Sequence, residues 1–214
     1  MKRVLAIGAH FDDVELGAGG SLAKWKSNGC EVYKLTLTDN VTNFKENDIN
    51  VEFQESFQQS LKACEKLGII QLEPEEYYPC TKLVFNSQRM QVVEKIIFEK
   101  DIDTVLIHFE SDLQQDHVEA SKISIIAARY CPRVLFYQSN RYILPKDFYP
   151  RFFVDITEFQ SKKFEALNCY RGSHDRMGKL FEQTKLQNQI WGHQIKMNRN
   201  KNYAEGFKIH KWLI

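Results

Sequence analysis

Two short segments hold most of the residues able to do chemistry: His10-Phe11-Asp12-Asp13-Val14-Glu15 and His108-Phe109-Glu110-Ser111-Asp112-Leu113-Gln114-Gln115-Asp116-His117. Three of the chain's 6 histidines lie in them. Imidazole offers a borderline nitrogen donor and carboxylate a hard oxygen donor. A catalytic Zn²⁺ takes about three such ligands and keeps an open position for water. One His and one Asp from the first segment, with one His from the second, would supply that set. Neighbouring side chains diverge, so of Asp12 and Asp13 one is left to ligate and the other to face the water as a base. The pattern points to metal-assisted hydrolysis.

Each segment needs an element to place it, and each follows an apolar run of strand character. Val4 to Gly8 suits a strand buried on both faces, and Thr104 to His108 repeats the pattern. Between them, Leu16 to Lys26 opens a small-residue helix ending near Asn28-Gly29. Glu31 to Thr38 is β-rich and alternating. Phe53 to Leu67 and Ser87 to Lys100 carry apolar residues at helical spacing, and the first of these stops at Gly68. Val118 to Tyr130 reads as helix and Val134 to Tyr137 as strand. Phe152 to Ile156 then reads as strand and Glu158 to Tyr170 as helix. Such alternation predicts an α/β, Rossmann-like three-layer fold, with a mainly parallel sheet flanked by helices. Functional groups in such sheets collect at the carboxyl ends of the strands. The last forty or so residues are polar and carry no clear pattern. No repeat or linker marks a second domain, so residues 1–214 read as one.

Composition narrows the function classes. With 29 Lys+Arg against 28 Asp+Glu, the chain carries a formal net charge of +1, which argues against nucleic acid or anionic lipid as the main partner. No segment approaches the roughly 18 apolar residues of a transmembrane helix, so no membrane insertion is expected. The N-terminal apolar run is too short for a signal peptide. Cys30, Cys64, Cys80, Cys131 and Cys169 are widely spaced and form no CxxC pair, which suits reduced thiols in a cytoplasm.

The first segment resembles the Ala-His-Pro-Asp-Asp-x-Glu signature of the PIG-L/LmbE-type N-acetylglucosaminyl deacetylases, with Phe11 in place of proline. Asp112 to His117 resembles their second motif, which ends in Asp-His. Further similarity lies in Phe152 to Glu158, in Lys163 to Leu167 and in Tyr203 to Phe207, in the family's order. The resemblance implies a zinc-dependent hydrolase that acts on an N-acetylated sugar and yields acetate and a free amine. It implies His10, Asp13 and His117 as metal ligands and Asp12 as the general base. Asp116 would support the ligands from behind, and Glu15 would orient the first loop. Gln114 stands where many members have histidine; glutamine can donate a hydrogen bond to an oxyanion but cannot deliver a proton. The acid step would then fall to protonated Asp12. Where family helices often begin with an arginine and a glutamate, counting back from Gly68 finds Ser56 and Gln59, so a substrate contact made by arginine is expected to be absent.

A His₂Asp set also suits Fe²⁺ or Co²⁺. His108 reads as a pocket residue touching substrate or Asp116, or as a strand cap, and Glu15 equally as a helix cap. The glycines Gly17, Gly19 and Gly20 lack GxGxxG spacing and read as helix–sheet packing sites rather than a dinucleotide cradle. Tyr137, Tyr142, Phe148, Tyr149, Phe152 and Phe153 read mostly as core, with a sugar-stacking wall as the alternative. The run from Lys196 to Lys201 reads as a solvated basic loop, with contact to a nucleotide-sugar phosphate as the alternative. A homo-oligomer is compatible with all of this. The competing function class is a catalytically inactive, metal-binding scaffold of the same fold. Retention of Asp12 beside a full ligand set argues against it.

Overall fold

The computed structural model describes residues 1–44, 49–140, 142, 144, 146–171, 180–195 and 202–213. Its centre is β1 (Arg3–Gly8), whose Val4, Leu5, Ala6 and Ile7 are fully buried. Only a strand covered on both faces tolerates such an unbroken apolar run. Parallel to it on one side lie β2 (Glu31–Thr36) and then β5 (Ile70–Leu72). On the other side lie β6 (Thr104–His108) and then β7 (Arg133–Tyr137), also parallel. Antiparallel β9 (Ala204–Trp212) pairs with β7, and β8 (Phe152–Asp155) closes that edge. The seven strands therefore run β5-β2-β1-β6-β7-β9-β8. A separate hairpin joins β3 (Thr42–Phe44) to β4 (Ile49–Val51).

Alternation along the strands divides the core in two. Val4, Ala6 and Leu106 face α1 (Asp13–Ser27), α2 (Phe53–Leu67) and α5 (Gln160–Asn168). Leu5, Ile7, Val105 and Ile107 face α3 (Ser87–Glu99) and α4 (Gln115–Ala127). The sixth helix, α6 (Leu180–Ile195), packs on β9. The result is the three-layer α/β architecture expected from the alternating pattern.

Most elements stand within a few residues of their sequence-based bounds. Both helices that follow the chemical segments start earlier than their apolar periodicity: α1 begins at Asp13 and α4 at Gln115. Their first turns carry Asp13, Glu15 and Asp116, where a carboxylate is favoured by the helix dipole. These acidic residues thus belong to helix N-termini, which the apolar pattern does not register. In α2 the stop at Gly68 is a left-handed cap at φ 73°. The C-terminal stretch without a clear pattern contains α6 and β9. The basic run Lys196 to Lys201 lies outside the described residues.

The glycines of α1 pack as the sequence suggests. A Cβ at Gly17 would sit 2.2 Å from the Tyr137 ring, and one at Gly20 would sit 2.7 Å from Ile156. No helix among the described residues is long and apolar enough to cross a membrane.

Candidate metal centre

The strand order reverses at β1: the chain builds outward through β2 and β5, then returns to place β6 on the other side. The crevice beyond the carboxyl ends of β1 and β6 is the switch point at which open α/β sheets bind ligands. His10, Asp12 and Asp13 follow β1, and Asp112 to His117 follow β6, so both segments open onto that crevice.

There the side chains converge. His10 Nδ1 lies 3.2 Å from His117 Nε2 and 3.3 Å from Asp13 Oδ2. His117 Nε2 lies 3.1 Å from Asp13 Oδ1. A tetrahedral shell with bonds of about 2.0–2.1 Å holds its donors roughly 3.3 Å apart, so this triangle fits a small divalent ion such as Zn²⁺. Asp13 and His117 are buried, while His10 is partly open.

Electrostatics agree with the spacing. Burial opposes protonation of His117, but the charge of Asp13 and the hydrogen bond to Asp112 outweigh it and lift its pKa to about 9. Burial likewise opposes charge on His10, yet hydrogen bonds to Asp116 and Asp13 hold its pKa well above the usual value. For Asp13, burial favours the neutral acid, but His117 above all pulls the pKa well below the carboxylate range. Positive charge is stabilised at this point.

Groups behind the donors set their tautomers. His10 Nε2 meets Asp116 Oδ2 at 3.2 Å, leaving Nδ1 as the free donor. His117 Nδ1 meets Asp112 Oδ2 at 3.2 Å, leaving Nε2. Asp116 is itself held by Thr81 N–H at 2.7 Å and Leu83 N–H at 3.2 Å. Wrapping both amides onto one carboxylate places Thr81 at φ 68°, an unfavourable conformation for a β-branched residue. Asp112 supports His117 as Asp116 supports His10, a role that its place in the motif alone does not reveal. Asn140 Nδ2 also lies 3.4 Å from His117 Nδ1.

His108 neither contacts Asp116 nor reaches solvent. It is fully buried, stacked on His117 with ring centroids 4.0 Å apart, and its Nε2 sits 3.2 Å from Asp13 Oδ2. Ala9 N–H donates to that same nitrogen at 3.0 Å, and Tyr137 OH lies 3.2 Å away. Burial and the charge of His117 lower its pKa, which favours the neutral ring. With Nε2 accepting the Ala9 N–H, the neutral ring packs beside the Asp13 carboxylate without donating to it.

Asp12 stands apart. Its carboxylate is 9% exposed and has no hydrogen-bond or ion-pair partner among the described residues. Gln114 caps α4: its Oε1 accepts the His117 N–H at 2.9 Å. That bond orients the amide and turns Nε2 toward His10, 3.4 Å from its Nε2. Glu15 acts on the first loop through a lysine. It pairs with buried Lys34 at 2.7 Å, and Lys34 and Tyr170 both donate to Phe11 O. This buried network holds the loop between His10 and Asp13 by its backbone. A lysine inside the otherwise buried run of β2 was the sequence signal for it. Phe11, in the proline position, is fully buried against Phe53, Phe57 and Tyr77.

The later motifs turn out to be structural. Glu205 on β9 accepts from Gly20 N–H and Ser21 N–H in the middle of α1, and Lys163 on α5 donates to Leu16 O and to Glu205. The six aromatics weighed as a stacking wall do not form one surface. Tyr137 is buried beside His108, Tyr142 and Tyr149 are exposed, and Phe152 packs on Phe207 and Trp212. Ser56 is buried and accepts from Asn40, and Gln59 donates to Glu55 along α2.

Comparison with known proteins follows the same lines. The chain is 27% identical over 176 residues to the uncharacterized deacetylase YaiS of Escherichia coli, covering 79% of this chain and 91% of that one. Its fold matches the 4-carboxy-2-hydroxymuconate hydratase GalB of Pseudomonas putida with a TM-score of 0.80 at 20% identity, covering 100% and 98% of the two chains. It matches the N,N'-diacetylchitobiose deacetylase of Pyrococcus horikoshii with a TM-score of 0.78 at 20% identity, covering 97% and 83%. A hydratase and a deacetylase share this architecture, so the fold alone does not choose the reaction. The family model described as PIG-L, GlcNAc-PI de-N-acetylase, matches residues 5–128, which span both chemical segments, and the chain belongs to that family.

Proposed function

We propose that the protein is a zinc-dependent deacetylase that removes the acetyl group of an N-acetylated amino sugar, releasing acetate and the free amine. The observation that carries this reading is a three-donor cluster of His10, Asp13 and His117 beside one unpaired carboxylate, Asp12. Membership of the PIG-L family supports amide hydrolysis on a sugar, as do relatives described as deacetylases.

His10, Asp13 and His117 would hold the ion. When bound, it supplies Lewis acidity, easing deprotonation of water and polarisation of the amide carbonyl. Asp12 accepts the proton that water loses as its oxygen attacks the carbonyl carbon. Asp12 is suited to this because no neighbouring group occupies its oxygens. Gln114, its Oε1 already engaged by the His117 N–H, presents Nε2 hydrogens to the oxygen that gains charge. An amide cannot release a proton, so Asp12 returns the one it took to the departing nitrogen as the C–N bond breaks. Asp116 and Asp112 take no part in proton transfer; they fix the ring tautomers of His10 and His117.

The test is acetate release from a panel of N-acetyl sugars by the Zn²⁺-loaded protein, with Asp12→Asn as control. Release by the wild type and its loss in the variant support the proposal. Absence of release from every sugar, with metal bound, would overturn it in favour of the scaffold reading.

A further inference from the structure

Five thiols are distributed over the molecule, and one of them lies beside the metal centre. Cys80 is half-buried in the loop that wraps Asp116, and its thiol lies against His10. Its sulfur, a ring nitrogen of His10 and a carboxylate oxygen of Asp116 all lie within 4.8 Å of one another. The loop is fixed from several sides. Asp39 accepts from Cys80 N–H at 2.9 Å, Thr81 N–H is bound to Asp116, and Thr42 Oγ1 contacts the sulfur at 3.6 Å. Among the described residues no other cysteine joins a histidine or carboxylate cluster.

Thiolate, imidazole and carboxylate together form a donor set for a soft or borderline divalent cation, such as Cd²⁺ or Zn²⁺ in excess. This set differs from the inner one in both hardness and exposure. Two of its donors are partly open to solvent, whereas Asp13 and His117 are buried. We infer that Cys80, His10 and Asp116 form a second cation site at the mouth of the crevice, whose occupation inhibits the enzyme. This inference rests on the proposed role of His10 in the inner set. Inhibition follows from the chemistry of His10. A neutral imidazole has one unprotonated nitrogen, and here Nδ1 faces Asp13 and His117 while Nε2 faces Asp116. A cation on the outer set would take His10 through Nε2; the ring proton would pass to Nδ1 as the bond from Nδ1 to the inner ion breaks, and that donor would leave the inner set. Binding also displaces the thiol proton to solvent, giving one thiolate–metal bond for each proton released.

The experiment is a Cd²⁺ titration of the Zn²⁺-loaded protein, read by thiolate-to-cadmium ultraviolet absorbance and by turnover. The wild type is expected to develop the absorbance with one equivalent of Cd²⁺ and to lose turnover in parallel. Cys80→Ser, which keeps the backbone bond to Asp39, is expected to retain basal turnover, lack the absorbance and need at least tenfold more Cd²⁺ for the same inhibition. Absorbance undiminished in Cys80→Ser, or equal inhibition of both proteins, would overturn the inference. Asp13→Asn separates it from the reading of the inner set. That variant is expected to lose the tightly held Zn²⁺ while keeping the Cys80 absorbance. Full zinc retention by Asp13→Asn would remove the inner assignment and with it this account of inhibition, while the Cys80 absorbance would still report the outer set by itself.

Discussion

Asp12 and Asp13 are chemically identical neighbours that the fold places in different surroundings. Asp13 is surrounded by three imidazoles and the His10 N–H, whereas the Asp12 carboxylate has no hydrogen-bond partner among the described residues. The two carboxylates therefore predict opposite phenotypes. Asp12→Asn should lower kcat by about 10²–10⁴-fold, the usual contribution of a general base, with zinc content unchanged by elemental analysis. His117→Ala should instead lose zinc, because two remaining ligands make an incomplete shell. The supporting carboxylates form a third class. Asp112→Asn and Asp116→Asn should keep some activity at saturating metal but weaken metal affinity about 10–100-fold, as measured by competition with a chelating dye. Equal affinity in these variants and the wild type would show that the tautomers are set by something else.

At the scale of elements, α1 joins the site to the rest of the fold. Its N-terminal turn carries Asp13, its middle donates Gly20 and Ser21 N–H groups to Glu205, and its Gly17 lies against the ring of Tyr137. Lys163 and Glu205 are both fully buried, so each neutralises the other where water cannot. Removing one partner leaves an uncompensated buried charge. Lys163→Met should cost about 3–5 kcal/mol of stability in a denaturant titration, and Lys163→Met with Glu205→Gln should recover much of that loss. Gly17→Ala places a methyl group inside the van der Waals radius of the Tyr137 ring. It should cost about 1–3 kcal/mol by overpacking. It should also weaken metal binding, because Tyr137 contacts His108 and His108 contacts Asp13.

For the molecule as a whole, the proposed metal site predicts that binding and folding are coupled. The donors come from two segments about a hundred residues apart, so the unfolded chain cannot hold an ion as the folded one does. A ligand that binds only the native state at a hundred times its Kd adds about 2.7 kcal/mol. Chelation should thus lower Tm by roughly 5–10 °C in a chain of this size, reversed by added Zn²⁺ and absent in His117→Ala. A Tm unmoved by chelator would mean that the triangle of His10, Asp13 and His117 does not bind metal.

What the sequence alone determines is whatever is local. Apolar runs place β1 and β6, helical spacing places α2 and α3, and two clusters of histidine and aspartate follow the strands. Local order therefore revealed the parallel sheet and the segments that meet at its switch point. Tertiary structure decided the rest, because it depends on partners far apart in the chain. Lys163 meets Leu16 across 147 residues, and Glu205 meets Ser21 across 184. No window of sequence shows such a pair, so those later motifs carried the resemblance without disclosing their purpose. His108 could not be told from a strand cap until its ring was seen stacked on His117, and Asp112 until its oxygen met Nδ1. β9 escaped notice because its inward positions include Glu205 and its outer half carries Lys208 and Lys211, so burial and hydropathy part company. Cys80 had no sequence pattern at all. It comes beside His10 only because the loop after β5 folds back over Asp116, and that approach is a property of the packed chain.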